Sequence, residues 1–140
     1  MRRESASSSL VIDASAAVDF LLSRGEEGGW VSAIIAGADF LAAPHLIDYE
    51  VASAVRGLAL GGQIPPRRGA EALDALARMR MLRFAGRQLL RRVWEIRGQI
   101  DAFDAAYVAL AERLQLPLIT TDQRLGRSRG HGAEILAFRR

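Results

Sequence analysis

The chain has 140 residues, half of them apolar and a quarter charged, which is enough for one sizeable core and too little for two. It contains no cysteine, and its 19 basic residues are all arginine, with no lysine. Those absences exclude disulfides, thiolate zinc sites, cysteine nucleophiles, Walker-type phosphate loops and Schiff-base chemistry. The formal net charge of +3, carried by arginine, suits phosphate recognition, although GC-rich coding produces the same composition.

Residues 1–9, with Arg2, Arg3, Glu4 and a Ser/Ala run, contain nothing able to pack and are expected to form a flexible arm ahead of a single domain over 10–140. Residues 10–12 are a short apolar, β-branched strand ending in Asp13, followed by a helix over about 15–22. Asp13 and Asp19 interrupt this apolar stretch, and no run approaches the ~20 residues that span a bilayer, so a soluble, cytoplasmic protein without membrane association is expected. A helix over 30–36, a strand over 40–42 and a helix over 46–60 closed by Gly61 and Gly62 come next. Pro65 and Pro66 open a helix to about residue 80. A strand over 81–84, helical spacing over 87–97 and a helix over 103–114 capped near Asp101 follow. Residues 118–121 form a second strongly strand-like run, ended by Asp122, and 134–138 a final strand. Short apolar strands alternating with longer helices predict a parallel sheet covered on both faces, an α/β sandwich.

Ligands of open α/β sheets bind beyond the carboxyl ends of the strands, where Asp13 and Asp122 are expected. Both also fit as N-caps of the helices that follow. Glu50 shares an i±4 row with Leu46, Ala54 and Leu58, where it is the sole charge on an apolar stripe; Asp48 and Arg56 are left for the wet side. Asp104 heads the row Tyr107, Val108, Ala111 and Leu114, and also fits as a first-turn charge favoured by the helix dipole. Four carboxylates at one sheet edge repel one another unless neutralised. Mg²⁺ or Mn²⁺, which take oxygen ligands and substrate phosphate, answer that need; zinc would want the histidine or cysteine that this chain nearly lacks. Such a centre suits in-line attack of water on a phosphodiester.

At this point the residues resemble a known family: PIN-domain ribonucleases, and within them the VapC toxins of bacterial VapBC toxin–antitoxin pairs. The likeness begins at Val11-Ile12-Asp13-Ala14-Ser15-Ala16 and continues through Pro44-His45-Leu46-Ile47-Asp48-Tyr49-Glu50-Val51-Ala52. Its most specific stretch runs from Trp94-Glu95-Ile96-Arg97 through Asp104-Ala105-Ala106-Tyr107-Val108-Ala109-Leu110-Ala111-Glu112 to Pro117-Leu118-Ile119-Thr120-Thr121-Asp122 and Arg124-Leu125. The resemblance implies a PIN-like three-layer α/β/α sandwich with a short, mostly parallel central sheet. It implies a toxic, Mg²⁺- or Mn²⁺-dependent endoribonuclease with catalytic Asp13, Glu50, Asp104 and Asp122. Asp13 and Asp104 would bind the metal most directly, with Ser15 and Thr120 as hydrogen-bond donors to the carboxylates. It further implies an RNA substrate, a VapB-like antitoxin whose tail enters the acidic site, and a homodimer. Asp101 and Phe103 depart from the family, where a neutral hydroxyl residue and a tyrosine are more usual.

Seven arginines lie from Arg78 to Arg97, including Arg80, Arg83, Arg87, Arg91 and Arg92, and Arg124, Arg127 and Arg129 follow Asp122. They are expected either to hold an RNA backbone beside the acidic pocket or to be solvated helix faces. A catalytically inactive PIN-fold module that binds RNA or protein is the alternative from a different class, and filled acidic positions argue against it. A phosphoacceptor signalling domain also places aspartates at strand ends, but it lacks its lysine here.

Overall fold

Among the residues described by the computed structural model, 8–139, five short strands pair into one sheet: β1 (Leu10–Ile12), β2 (Leu41–Pro44), β3 (Met81–Phe84), β4 (Leu118–Thr120) and β5 (Ile135–Ala137). Every pairing is parallel, in the order β3-β2-β1-β4-β5. All residues of β1, β2 and β4 are buried, as the apolar runs require for strands covered on both faces. The edge strands β3 and β5 are only partly buried, and Arg83 places a charge on one edge, a common guard against further strand pairing. Most of the arm expected over 1–9 lies outside the described residues. Of its last two residues, Ser8 donates from Oγ to the Gly37 carbonyl (2.7 Å), and Ser9 is fully buried.

Helices α1 (Ala14–Leu21), α2 (Gly25–Ala36), α3 (Ile47–Leu60) and α4 (Pro66–Arg78) connect β1 to β2 and β2 to β3; α5 (Leu90–Glu95) and α6 (Ala102–Leu114) connect β3 to β4; α7 (Gln123–Gly126) precedes β5. The chain therefore steps one way along the sheet to β3 and then crosses back. Right-handed crossovers put helices from opposite steps on opposite faces. The packing agrees: α1 meets α2 and α3, α3 meets α4, and α6 lies on β1, β2 and β4 with α5 packed against it. The result is the three-layer α/β/α sandwich, with a sheet that is parallel throughout.

Helix α6 is buried along Ala105, Ala106, Tyr107, Val108, Ala109, Leu110 and Ala111. Its four buried alanines let it lie close to the sheet, and a stretch apolar on all sides belongs in a core. Three local differences from the sequence reading have physical causes. Helix α2 starts at Gly25, five residues earlier than expected, because Gly28 and Gly29 are not breakers here: Glu26 and Glu27 favour the first turn, and Gly28 packs against the end of α1. The stretch over 87–97 divides into a 3-10 turn at Gly86–Leu89 and the short α5. Helix α7, at four residues, is too short to show periodicity.

A Cβ at Gly28 would sit 2.6 Å from the Asp19 carbonyl oxygen, a backbone atom that cannot swing aside. Gly28→Ala is therefore expected to force α1 and α2 apart, at a cost of about 1–3 kcal/mol, and to lower the melting temperature by several degrees. An unchanged thermal melt would contradict the close α1–α2 contact.

Candidate active site

Strands β1 and β4 are neighbours in the sheet, although the chain leaves β1 in one direction and enters β4 after crossing back. Such a switch point opens a crevice at the carboxyl ends of the two strands. Asp13 follows β1 there, its backbone N–H donating to the Ile119 carbonyl of β4 (3.2 Å). The capping expectation holds: Asp13 Oδ1 accepts from the Ala16 N–H (2.9 Å) as N-cap of α1. Oδ1 also accepts from Ser15 Oγ (2.8 Å), and Oδ2 accepts from Thr120 Oγ1 (2.5 Å). Three of about four lone-pair positions on the carboxylate are thus taken, and one is left for another partner.

The two hydroxyls knit the strand ends together. Ser15 Oγ accepts from the Thr121 N–H (3.2 Å) and Thr120 Oγ1 from the Asp122 N–H (2.9 Å). Each hydroxyl turns its one proton to Asp13 and its oxygen to the backbone leaving β4, so Asp13 and Asp122 are joined through Thr120. Asp122 caps α7, its Oδ1 accepting from the N–H groups of Arg124 (2.8 Å) and Leu125 (3.3 Å). Thr121 Oγ1 donates to Asp19 Oδ2 (2.7 Å), tying the same loop to α1.

Helices α3 and α6 supply the other two carboxylates. Asp101, the departure from the family pattern, is the N-cap of α6 and accepts from the Asp104 N–H (2.8 Å). Asp104 sits one turn in, and its Oδ2 lies 3.6 Å from Arg124 Nη2. Glu50 Oε1 accepts from the Tyr107 hydroxyl (2.7 Å), linking α3 to α6. The stripe expected to carry Glu50 is shifted, since the fully buried row of α3 is Ile47, Val51 and Val55. The row Leu46, Glu50, Ala54, Leu58 runs beside it and is half-buried or exposed. A carboxylate deep in the core would cost several kcal/mol; on the flanking row it reaches one hydroxyl and stays open on its other side.

The electrostatics record crowding. Burial pushes Asp13 up to about 6 despite its three hydrogen bonds, with Asp122 adding a smaller like-charge contribution. Burial, then Asp101 and Asp122, push Asp104 up to about 6 as well, and only Arg124 opposes them. Glu50 is raised by burial, partly offset by the Tyr107 hydrogen bond, with Asp101 repelling it. Burial and Glu50 raise the Tyr107 hydroxyl, which keeps its proton and remains a donor. The four carboxylates expected from the sequence are therefore coupled through shared hydrogen bonds, a shared arginine and like charge.

Among the described residues, no three carboxylates or histidines converge as a ready-made metal cage. The donor set nonetheless fits a magnesium-like ion, which keeps several waters and takes one or two carboxylates plus a phosphate. Histidine offers no competing site: His45 is exposed, and His131 is occupied by Ser128 Oγ (2.8 Å) and the Ala133 N–H (3.2 Å).

The arginine rim needs revision. Arg83 is bidentate on Asp48 (2.8 and 2.9 Å) and Arg92 is bidentate on Glu112 (2.7 and 2.9 Å), so both fasten the fold, and Asp48 is paired rather than simply wet. Arg97 stacks 4.2 Å over Trp94. Tyr107 was not singled out for the site by the sequence, and Arg124 was named only among the arginines expected to hold RNA beside the pocket or to lie solvated. The available signal for Tyr107 was a polar tip on an otherwise apolar stripe, which must find a partner when buried; for Arg124, only its place two residues after Asp122.

Comparisons with known proteins show similarity over most of the chain. A PIN-domain family model matches residues 10–130. Ribonuclease VapC9 of Mycobacterium tuberculosis is 40% identical over 116 residues, covering 83% of this chain and 87% of the relative. Two solved structures share the fold at low identity. The sarcin–ricin loop cleaving toxin VapC20 of M. tuberculosis has a TM-score of 0.66 at 12% identity, covering 84% of this chain and 92% of its own. VapBC2 of Rickettsia felis, bound to a promoter DNA fragment, has a TM-score of 0.65 at 11% identity, covering 92% of this chain and 98% of the other.

Because folding raises the Asp104 pKa, the folded state holds that proton more tightly than the unfolded chain. The group therefore favours folding below about pH 4 and loses that contribution as pH rises through about 6. In chelator at about pH 7.5, Asp104→Asn should raise the melting temperature by a few degrees, roughly 1 kcal/mol, and the gain should shrink at about pH 5. With saturating Mg²⁺ the order should reverse, since only the wild type keeps its full affinity for the ion. An equal loss of stability under all three conditions would make Asp104 a structural residue.

Proposed function

The chain belongs to the PIN-domain family and is related to VapC ribonucleases; on that premise we propose that it is a Mg²⁺- or Mn²⁺-dependent endoribonuclease, the toxin of a type II toxin–antitoxin pair, acting through Asp13, Glu50, Asp104 and Asp122. The observation that carries this reading is the crowding at the switch point, where burial and like charge push both Asp13 and Asp104 up to about 6. A site in which burial and like charge make two ionised carboxylates costly is one that a divalent cation relieves.

Asp13 and Asp104 are the residues that would hold the ion. When bound, it would ease deprotonation of the attacking water and stabilise charge on the phosphate and the leaving oxygen. Ser15 and Thr120 fix the orientation of Asp13, so its remaining lone pair has one direction. Tyr107 fixes Oε1 of Glu50 and leaves Oε2 to accept a hydrogen bond from water and steer its attack on phosphorus. Asp122 completes the acidic wall while capping α7. The RNA backbone is held by arginines outside structural ion pairs, Arg87 and Arg91 being exposed examples. A VapB-like antitoxin is the protein partner in this reading, in keeping with the VapBC2 neighbour, and the toxin is a homodimer. Among the described residues no helix is long and apolar enough to cross a membrane.

Two experiments test the reading. Purified protein should cleave RNA with Mg²⁺ or Mn²⁺, stop in EDTA and recover when the ion is restored; undiminished cleavage in EDTA contradicts it. Expression in a bacterial host without antitoxin should arrest growth, and Asp13→Asn should abolish the arrest. Equal growth of the two strains would favour a binding-only module.

A further inference from the structure

Arg124 does not behave like the other paired arginines. Arg83 grips Asp48 and Arg92 grips Glu112 in two-pronged contacts at 2.7–2.9 Å, Arg92 also reaching Glu95 at 3.3 Å, with side chains 22% and 38% exposed. Arg124 is 74% exposed, and one nitrogen, Nη2, stands 3.6 Å from Asp104 Oδ2 and 3.6 Å from Asp122 Oδ2. A single nitrogen at equal distance from two carboxylates, too far for a good hydrogen bond to either, occupies the position of a shared counter-charge. Such loose, solvent-exposed pairs contribute little to stability, so moving the side chain away costs little.

Its backbone, in contrast, is pinned. The Arg124 N–H donates to Asp122 Oδ1 at 2.8 Å, so the carboxylate that the guanidinium faces also anchors its main chain. The side chain can leave the carboxylates without leaving the mouth of the site. There, a cleft of about 210 Å³ is lined by Gln99, Ile100, Asp101, Asp104, Arg124 and Leu125, with Ser128 at its side, giving a displaced guanidinium room to turn.

We propose that Arg124 is an internal counter-cation that bridges Asp104 and Asp122 until a divalent ion takes their charge, and that it then turns to the RNA phosphate as a positioning residue. The inference rests on the metal-dependent reading above and adds a residue-level coupling to it. While the bridge stands, the guanidinium and the ion compete for Asp104, so the resting site binds metal more weakly than its acidic residues alone would. Once the bridge opens, arginine's planar fork matches a phosphate in two-pronged geometry. One side chain thus covers the acidic pair before catalysis and contacts the substrate during it.

The test is direct Mn²⁺ binding, by calorimetry and by the loss of the free-ion paramagnetic signal, on the whole chain without RNA. Arg124→Gln is expected to tighten Mn²⁺ binding roughly threefold to tenfold, the scale set by two weak exposed pairs, and to raise KM for RNA more than it lowers kcat. Arg124→Lys, which keeps the charge but not the fork, should return Mn²⁺ affinity towards wild type while leaving KM raised. Arg127→Gln, one helical turn on, should change Mn²⁺ affinity by less than about twofold, which separates bridging from the general field of the basic surface. If wild type binds Mn²⁺ and Arg124→Gln binds it equally or more weakly, the counter-cation is overturned and the nuclease reading stands. If wild type binds no Mn²⁺, both fall together.

Discussion

Asp13 ends one strand, caps one helix and accepts hydroxyl protons from Ser15 and from Thr120 of the neighbouring strand. Because those same hydroxyls accept the backbone N–H groups of Asp122 and Thr121, the ends of β1 and β4 cannot separate without breaking a closed set of bonds around a buried carboxylate. Removing one member of such a set leaves the rest unsatisfied, which costs more than the bond itself contributes. The same constraint sets the height at which α1 and α7 start and where the acidic pocket opens.

Chemistry at the pocket follows from a conflict that the fold maintains. Parallel strands buried on both faces bring helix starts and strand ends to one edge, and helix starts favour acids. Asp13, Asp101 and Asp122 are each explained locally as caps, yet the topology puts Asp101 and Asp122 in the field of Asp104 and Asp122 in the field of Asp13, with Glu50 adding to the charge on Asp104. Local stability and functional charge are therefore the same residues serving two ends. Desolvation outweighs like-charge repulsion in raising Asp13 and Asp104, so the conflict is built mainly by the apolar layers above and below the sheet. Tyr107 illustrates the point: a residue that is 1% exposed within α6 uses its single polar atom to hold Glu50.

Much of this was legible in the sequence because burial and periodicity speak plainly there. The runs at 10–12 and 118–121 read as covered strands, each ending at an aspartate, and the resemblance ordered the four acids. Legibility failed where three-dimensional partners decide. Glu50 was placed on the right helix and row, but that row was taken for the core-facing one, because an i±4 count cannot tell the buried row from its neighbour. Arg83 and Arg92 were grouped with a binding rim because nothing local announces Asp48 and Glu112 as their partners. The first turn of helix α2 was missed, where Gly28 packs against a carbonyl of another helix. Arg124 carried no signal beyond proximity to Asp122, since a bridge to a residue twenty positions earlier is a property of the fold alone.

The central claim is that Asp13 and Asp104 hold their protons up to about pH 6, well above the ordinary carboxylate range, until a divalent ion replaces them, and proton release on metal binding reports this most directly. Mg²⁺ or Mn²⁺ should be titrated calorimetrically in buffers of different ionisation enthalpy, at about pH 6 and again at about pH 8. With both groups near 6, binding at about pH 6 is predicted to release on the order of one proton per ion, falling towards zero at about pH 8. Binding at about pH 6 with no dependence on the buffer would mean that the carboxylates are already ionised and uncrowded, contradicting the account.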